Sequence, residues 1–591
     1  MVPADGTFTL SDASQSFTLG AVLEDVDPNS DSGWDGKTLT KKGAGTLILD
    51  AVDTYSGATN VEEGTLWLDP DASIGVAGSQ QLVDVAQGAA FGGDNATVNG
   101  NVENSGSLYF DDTLTVNGDV TNSGAIVSGS GTIPLPATQL TDSGQPDNTL
   151  VINGNYTGNG GSLTLNTYLG DDTSPTDKLV VNGNTSGDTT LYINQSGGEG
   201  AQTTDGIEVV QVNGESDGVF TQGNQVQAGL YEYRLYQDDS NGDWYLRSQS
   251  TTPTPDPDDG GDDGGDGGDG GDTPVTPQYR ADIGAYLGNQ WMARSLQMQT
   301  LYDREGSQYH SADGSVWARF KAGSADSQAA SGNVDMDNNY SQFQLGGDIL
   351  TWGNGEQSLT VGLMGSYINA DTDSTGNRGA DGSRFTASGN VDGYNLGVYA
   401  TWFADAQNHS GMYVDSWYQY GTFNNSVDDG DVGSQDYDST ANAVSLETGY
   451  RYDITLSNNN AVSLTPQAQV TWQNYQADSV TDNSGTRIDG QNGDSWTSRL
   501  GLRVDGKLHK NPNSVIQPFM EANWLHTSDD TSVSFDNSDV KQDIPADRAE
   551  LKAGIQANIN QQWSVTAQVA GEKGSNDYDD LNGSLNLRYS W

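Results

Sequence analysis

Residues 499–507 read Arg499-Leu500-Gly501-Leu502-Arg503-Val504-Asp505-Gly506-Lys507. Leu500, Leu502 and Val504 take every second place, and Arg499, Arg503, Asp505 and Lys507 stand between them. Successive side chains of a strand point to opposite faces, so this stretch has one apolar and one charged face. The pattern returns at 548–555, where Ala549, Leu551, Ala553 and Ile555 alternate with Arg548, Glu550, Lys552 and Gly554. Twelve such segments can be placed, near 315–322, 340–352, 358–370, 390–404, 410–423, 438–454, 461–475, 496–508, 514–527, 548–558, 562–574 and 582–591. Each is close to the roughly 9–11 residues that a tilted strand needs to cross a bilayer, and the number is even. A soluble sandwich also has polar outer faces. Charge on the polar face of these strands instead implies a wet lumen, with lipid on the other side. Arg319, Lys321, Arg499, Arg503, Arg548 and Arg588 are the expected lumen-facing charges. Trp524, Trp563, Tyr589 and Trp591 stand at apolar strand ends, where a membrane interface favours aromatic rings.

The connections have their own pattern. Long polar ones at 323–339, 371–389, 424–437, 476–495 and 528–547 interleave with tight ones such as 353–357 and 511–513. Short periplasmic turns and long external loops put Trp591 at the periplasm. A helical period precedes the first strand, from Tyr279 to about Asp303. Ile283, Leu287, Trp291 and Leu296 recur on one face, with Ala281, Gly284, Ala285 and Gly288 between them. A cap on the barrel rim would show this period too. If the N-terminal half lies outside the cell, however, the chain must cross the lumen to reach a first strand that begins in the periplasm. A pore-spanning helix over 279–305 is therefore expected, leading into a barrel over 306–591.

Residues 250–278 hold a Pro-, Gly- and Asp-rich linker. Its GGDGGD runs lack the apolar residue that follows Asp in calcium-binding nonapeptide repeats. Before it, Val98-Asn99-Gly100-Asn101-Val102 is matched eighteen residues later by Val116-Asn117-Gly118-Asp119-Val120. Ile152-Asn153-Gly154-Asn155-Tyr156 lies two periods further on. Short strands at a fixed period with Gly and Asn corners predict a right-handed parallel β-helix, the corner residues supplying a positive φ. The fold class is all-β.

No run of eighteen apolar residues exists, so no helix of this sequence spans a bilayer. The chain has no cysteine, which excludes disulfides, zinc–thiolate sites and a cysteine nucleophile. With 24 basic and 81 acidic residues its net charge is −57, which opposes nucleic acid as a partner and favours solubility. The start, Met1-Val2-Pro3-Ala4-Asp5, has neither a basic nor an apolar signal region, so the natural start is expected upstream. All four histidines (His310, His409, His509 and His526) follow the linker. Residues 1–250 therefore hold neither a Ser-His-Asp triad nor a histidine-ligated metal. No carboxylate pair stands out from the acidic background. Neither an enzyme activity nor a cofactor is expected.

Several longer stretches resemble the type V autotransporters with an AIDA-type barrel. LTKKGAGTLILDAVDTYSGATNVEEGTLWL, residues 39–68, is similar to the passenger-associated transport repeat. DKLVVNG at 177–183, GIEVVQVNG at 206–214, Gly229-Leu230-Tyr231-Glu232-Tyr233 and Trp244-Tyr245-Leu246 resemble the pertactin-like end of a passenger, which serves that family as an autochaperone. YVDSWYQYGTF at 413–423, LETGYRY at 446–452 and PQAQVTWQ at 466–473 resemble AIDA-type barrels. The resemblance implies a β-helical passenger over 1–169 and an autochaperone-like end over 170–249. It implies an outer-membrane barrel that exports them to the cell surface. Leu585, Leu587, Tyr589 and Trp591 would form the terminal signal read by the barrel assembly machinery. The other implied partners are outer-membrane lipid, periplasmic chaperones and a host or neighbouring cell surface. An adhesin or self-association passenger is the first reading, and a catalytic domain upstream the alternative; a plain porin fits neither the passenger nor the helix. Serine-protease autotransporters cleave themselves at an Asn pair in the pore helix. Gly288-Asn289-Gln290 stands here instead, so that cleavage is not implied.

Overall fold

The computed structural model describes residues 4–131, 145–250, 276–308, 314–378, 384–490, 493–511, 514–528 and 530–591. Most of the linker, with its GGDGGD runs, and His310 lie outside the described residues. The chain divides into two compact units, Met1–Gln249 and Ser250–Trp591.

The first unit is a parallel β-helix. The eighteen-residue repeat is one coil: Val102 lies beside Val120, and Leu108 beside Ile126. The thirty-six-residue step also holds, with Leu114 beside Leu150 and Val120 beside Tyr156. Later coils are of other lengths, placing Leu150 beside Leu179 and Leu179 beside Val210. The inward side chains join one apolar core from Leu10 to Leu246. Each buried Val or Leu contributes about 1.5–3 kcal/mol to that stack.

The corners run as ladders. Asn117 donates to Asn99 at 2.9 Å, Asn153 to Asn117 at 2.7 Å, Asn182 to Asn153 at 2.6 Å and Asn213 to Asn182 at 2.7 Å. The glycine after each Asn is needed for a reason other than positive φ. Gly118, Gly154, Gly183 and Gly214 are not in the left-handed region. A Cβ on any of them would collide with the glycine carbonyl oxygen of the preceding coil, so close stacking is what excludes a side chain. The last strands change direction. Tyr231–Gln237 and Trp244–Arg247 pair antiparallel, with Leu235 and Ile207 both opposite Leu246. Phe220 stacks on Tyr156 at 5.9 Å and meets Trp244 edge-on at 5.4 Å, so rings cover the end of the apolar stripe.

Residues 39–68 form parts of two successive coils, with Leu39 beside Thr59 and Leu47 beside Leu66. Lys41 is fully buried there. Its Nζ donates to the carbonyls of Gly43, Lys42 and Glu63 at 2.7, 2.9 and 3.1 Å. Burial pushes its pKa down to about 8, opposed by the Glu63 carboxylate. The folded value lies below the ordinary 10.5, so the unfolded chain binds more protons between these two pH values. Stability should therefore rise with pH across that window and stay level below it. The rise is at most about 3 kcal/mol at 1.36 kcal/mol per unit. The urea midpoint of the passenger should climb from pH 8 to 10.5, and Lys41→Met should remove the climb. An unchanged climb in the variant would place its origin elsewhere.

The second unit is a closed antiparallel barrel of twelve strands. They are β1 (Ser315–Ala329), β2 (Val334–Gly353), β3 (Ser358–Arg378), β4 (Arg384–Phe403), β5 (Gly411–Asp428), β6 (Ser434–Thr455), β7 (Ala461–Ala477), β8 (Gly493–Asn511), β9 (Ser514–Thr527), β10 (Asp547–Asn558), β11 (Trp563–Lys573) and β12 (Asp579–Ser590). Closure is by β1 against β12, Val316 opposite Tyr589. Leu500, Leu502, Val504, Leu551 and Ile555 are exposed on the outside. On β8 the outer band runs from Trp496 to Leu508. That is roughly 40 Å along the strand, or ~30 Å when tilted, which matches a bilayer core.

Three of the expected long connections are largely strand. β1 and β2 continue through 323–339, β3 and β4 through most of 371–389, and β5 and β6 through 424–437. Above the lipid the outer faces turn polar, and on β3 the inner face is polar too. Asp371 and Asp373 face water while Thr372 and Ser374 are buried within, so apolar alternation stops although the ladder does not. The two remaining external connections meet in a four-stranded sheet of Val480–Thr481, Arg487–Gly490, Ser532–Phe535 and Ser538–Lys541.

Candidate functional site in the barrel lumen

Residues 281–308 lie inside the barrel. They form α1 (Asp282–Ser295), a turn followed by a short irregular stretch, and α2 (Leu301–Glu305). The single helix expected over 279–305 is thus broken at 296–300. Thr300 starts a new helix: its Oγ1 accepts from Asp303 N at 3.0 Å, and the Asp303 carboxylate accepts from Thr300 N at 3.1 Å. The carbonyls around the break are met from the walls, Arg294 O in addition to its bond from Gln297 N. Gln342 on β2 donates to Leu296 O at 2.9 Å, and Gln419 on β5 to Gln297 O at 2.8 Å. Gln469 and Gln473 on β7 donate to Gln299 O and Arg294 O at 2.9 and 2.8 Å. Non-helical backbone inside a barrel is tolerable only with such partners.

α1 packs most closely on β3 and β4. Ile283 and Leu287 are fully buried, and Trp291 nearly so, edge-on to Tyr578 at 6.4 Å. The helix lies so near β3 that a Cβ on Gly284 would strike Ser374, and one on Gly288 would strike Thr372. At the external mouth Arg280 is buried against Asp282 and Asp482, with the Phe535 ring 5.0 Å away. The loop sheet therefore holds the chain where it enters the lumen.

The lower half is a charged network. Arg304 pairs with Asp415 at 2.7 Å and lies over the Tyr399 ring at 4.1 Å. Lys552 meets Asp303 at 2.9 Å. Arg503 sits between the Tyr302 and Phe519 rings at 4.3 and 4.0 Å and pairs with Asp505 at 3.0 Å. Arg499 donates to Gln469, Gln467 and Asn523 and faces Glu447 at 3.4 Å. Nearer the external end Arg548 pairs with Glu572, and at the lower end Arg588 donates to Glu305 O at 3.0 Å. Arg319 is buried, and Lys321 lies 5.7 Å from the Tyr340 ring. All six cations named from the sequence thus surround this segment or line the wall beside it. Asp505 was on the charged face read from the sequence, whereas Arg304 with its partner Asp415, the acids Glu447 and Glu521, and the inward glutamines do not figure in that reading. Each of these wall residues alternates with outward residues, as Tyr413, Asp415, Trp417 and Gln419 do on β5, and that period was the available signal.

Leu585, Leu587 and Trp591 are exposed on the outer face of β12, and Tyr589 is half-buried between Trp563 and Trp591, with ring centroids at 4.9 and 6.4 Å. His409 stacks on Phe403 at 3.8 Å, and His526 meets Asp547 at 2.8 Å on the surface. No group of three or more His, Cys, Asp or Glu suited to a metal occurs among the described residues.

Residues 316–570 match the family model of the autotransporter beta-domain. Residues 126–235 match autochaperone domain type 1, and 39–68 the passenger-associated transport repeat. The chain belongs to the autotransporters. It is 35% identical to the uncharacterized protein YdeU of Escherichia coli K12, over 76% of this chain and 100% of that one. It is 32% identical to the probable autotransporter YfaL of the same strain, over 100% of this chain and 50% of that one. With the Escherichia coli autotransporter adhesin AIDA-I the identity is 30%, over 75% of this chain and 34% of the relative. The chain thus spans all of the first relative but half or less of the other two. The crystal structure of the AIDA-I transport unit is similar to 53% of this chain and is covered in full, with 28% identity and a TM-score of 0.48. As an autotransporter the chain inserts its barrel in the outer membrane, and that barrel mediates translocation of the N-terminal β-helical passenger to the cell surface.

Proposed function

We propose that this autotransporter displays its passenger as an adhesive or self-associating surface and performs no catalysis there. The observation that carries this reading is the β-helix of the described residues, whose buried core runs from Leu10 to Leu246 with an Asn ladder from Asn99 to Asn213, in a passenger sequence without a histidine or cysteine. A stiff rod with a repeating polar exterior presents area to another surface. The relative named an adhesin, AIDA-I, points the same way. Expression in a non-adherent, non-aggregating host tests it. Cells carrying the full chain should settle or bind a surface, and cells carrying the barrel alone should not. Equal behaviour of the two would refute the adhesive reading.

The luminal segment closes the pore in this proposal. Arg280 fixed at the mouth, the glutamine-held break and the Arg304–Asp415 pair anchor it at three depths. In planar bilayers the intact protein should conduct little, and removal of residues 279–303 should give large steady steps. Equal conductance in both forms would show that the segment is no barrier.

A further inference from the structure

On the side of the lumen away from α1's main contacts lies a chamber of about 110 Å3, bounded by β1, β7 to β12 and the segment around Thr300. That is space for roughly three or four waters. Six cationic and four acidic side chains line it. The acids are engaged: Asp303 by Lys552 at 2.9 Å, Glu572 by Arg548, Glu550 by Asn523 at 2.9 Å, and Asp580 by the Tyr340 hydroxyl at 2.5 Å. Arg499 has Glu447 and Glu521 within 4 Å. Arg319 and Lys321 are left with no carboxylate within 4 Å among the described residues.

These two stand two residues apart on β1, so both project to the same inner face. Arg319 is 4% exposed, and its Nε has no hydrogen-bond partner. Neither residue has an ion pair or hydrogen bond among the described residues, and Lys321 has only the Tyr340 ring. A buried guanidinium beside an ammonium, with no carboxylate of the chamber within ion-pair distance of either, is poorly compensated, and a mobile anion would complete the set. A guanidinium presents a planar fork to an oxyanion, and an ammonium adds a point charge with three rotatable donors. Thr300, Gln568 and Asn582 also line the chamber and bring hydroxyl and amide groups to its wall.

We propose that Arg319 and Lys321 form a binding site inside the barrel for one small oxyanion of the phosphate or sulfate type. The site is separate from the contacts that anchor the luminal segment. It supplies a close counter-charge to the two cations on β1 once the barrel is closed.

The test uses the full chain folded in detergent, with inorganic phosphate replacing chloride at constant ionic strength. At ten times its dissociation constant, phosphate should lengthen the half-life in hot urea about tenfold. The double variant Arg319→Gln/Lys321→Gln should lose this response while being at least as durable as the parent without phosphate, because it buries no cation that lacks an ion-pair partner. A second arm needs no variant: crystals of the full chain soaked in selenate should give an anomalous peak between the Arg319 guanidinium and Lys321 Nζ. Lengthening of equal size in parent and variant, or selenate found only on the outer surface, would overturn the proposal. So would the absence of both effects in the parent.

Discussion

Deleting Tyr589 to Trp591 should leave a protein that never inserts and is degraded in the periplasm. The three residues contribute little to the finished barrel. β12 pairs with β1 from Asp579 to Ser590 and with β11 from Asp579 to Tyr589, so most of both ladders survives the deletion. What goes is Tyr589 between Trp563 and Trp591, rings at a membrane interface worth about 1–3 kcal/mol. If these rings served stability alone, the deleted barrel would insert and melt earlier. We propose instead that Leu585, Leu587, Tyr589 and Trp591 make a free apolar edge that the barrel assembly machinery reads before the strand closes on β1. Loss of a recognition element abolishes the product rather than weakening it. Heat-modifiable migration together with surface protease accessibility distinguishes the two. Insertion at normal yield with a lower melting temperature would refute the recognition role.

What could be read from sequence follows from where the environment imposes a period. Leu500, Leu502 and Val504 were legible because lipid and lumen lie on opposite sides of one strand, so hydropathy alternates at the strand period. Thr372 and Ser374 were not, because water outside and a helix inside both accept polar side chains, and the strand then looks like a loop. The break after Leu296 was hidden for another reason. Its carbonyls are met by Gln342, Gln419, Gln469 and Gln473, distant in sequence, so the only local sign of it is the helix start Thr300-Leu301-Tyr302-Asp303. The VNG repeat revealed the coil, yet the role of its glycine depends on the carbonyl of the coil before it, which no single repeat contains. Tyr231–Gln237 alternates like any coil strand, so its antiparallel pairing was invisible. In the lumen the cations stood out as single letters. Asp415 and Glu447 did not, in a chain with 81 acids.

Val209→Asp with Tyr233→Asp should strand the passenger in the periplasm while the barrel still inserts. Both side chains are fully buried at the last coils, and the Tyr233 hydroxyl donates to Gly170 O at 2.7 Å and accepts from Ala201 N at 3.0 Å. A carboxylate at either place either meets the core charged or must take up a proton, and each costs several kcal/mol. No nucleotide-binding loop of the GxxxxGK[ST] type exists in the chain, and no ATP is available outside. Folding itself is then the source of direction. Each coil that closes on the one before buries its Val, Ile or Leu stripe at about 25 cal/mol per Å2 and cannot slide back through the pore. The coils nearest the barrel emerge first if the C-terminal end leads, so damage there removes the seed on which later coils stack. Leu47→Asp places the same charge in an equally buried site at the far end. It should let the C-terminal coils reach the surface and impair only the last to arrive. Antibodies against an epitope near residue 190, applied to intact and to permeabilised cells, read the difference. Surface signal in the double variant should fall at least tenfold, with Leu47→Asp close to the parent. Normal exposure of the double variant would mean that something other than stacking of these coils draws the chain outward.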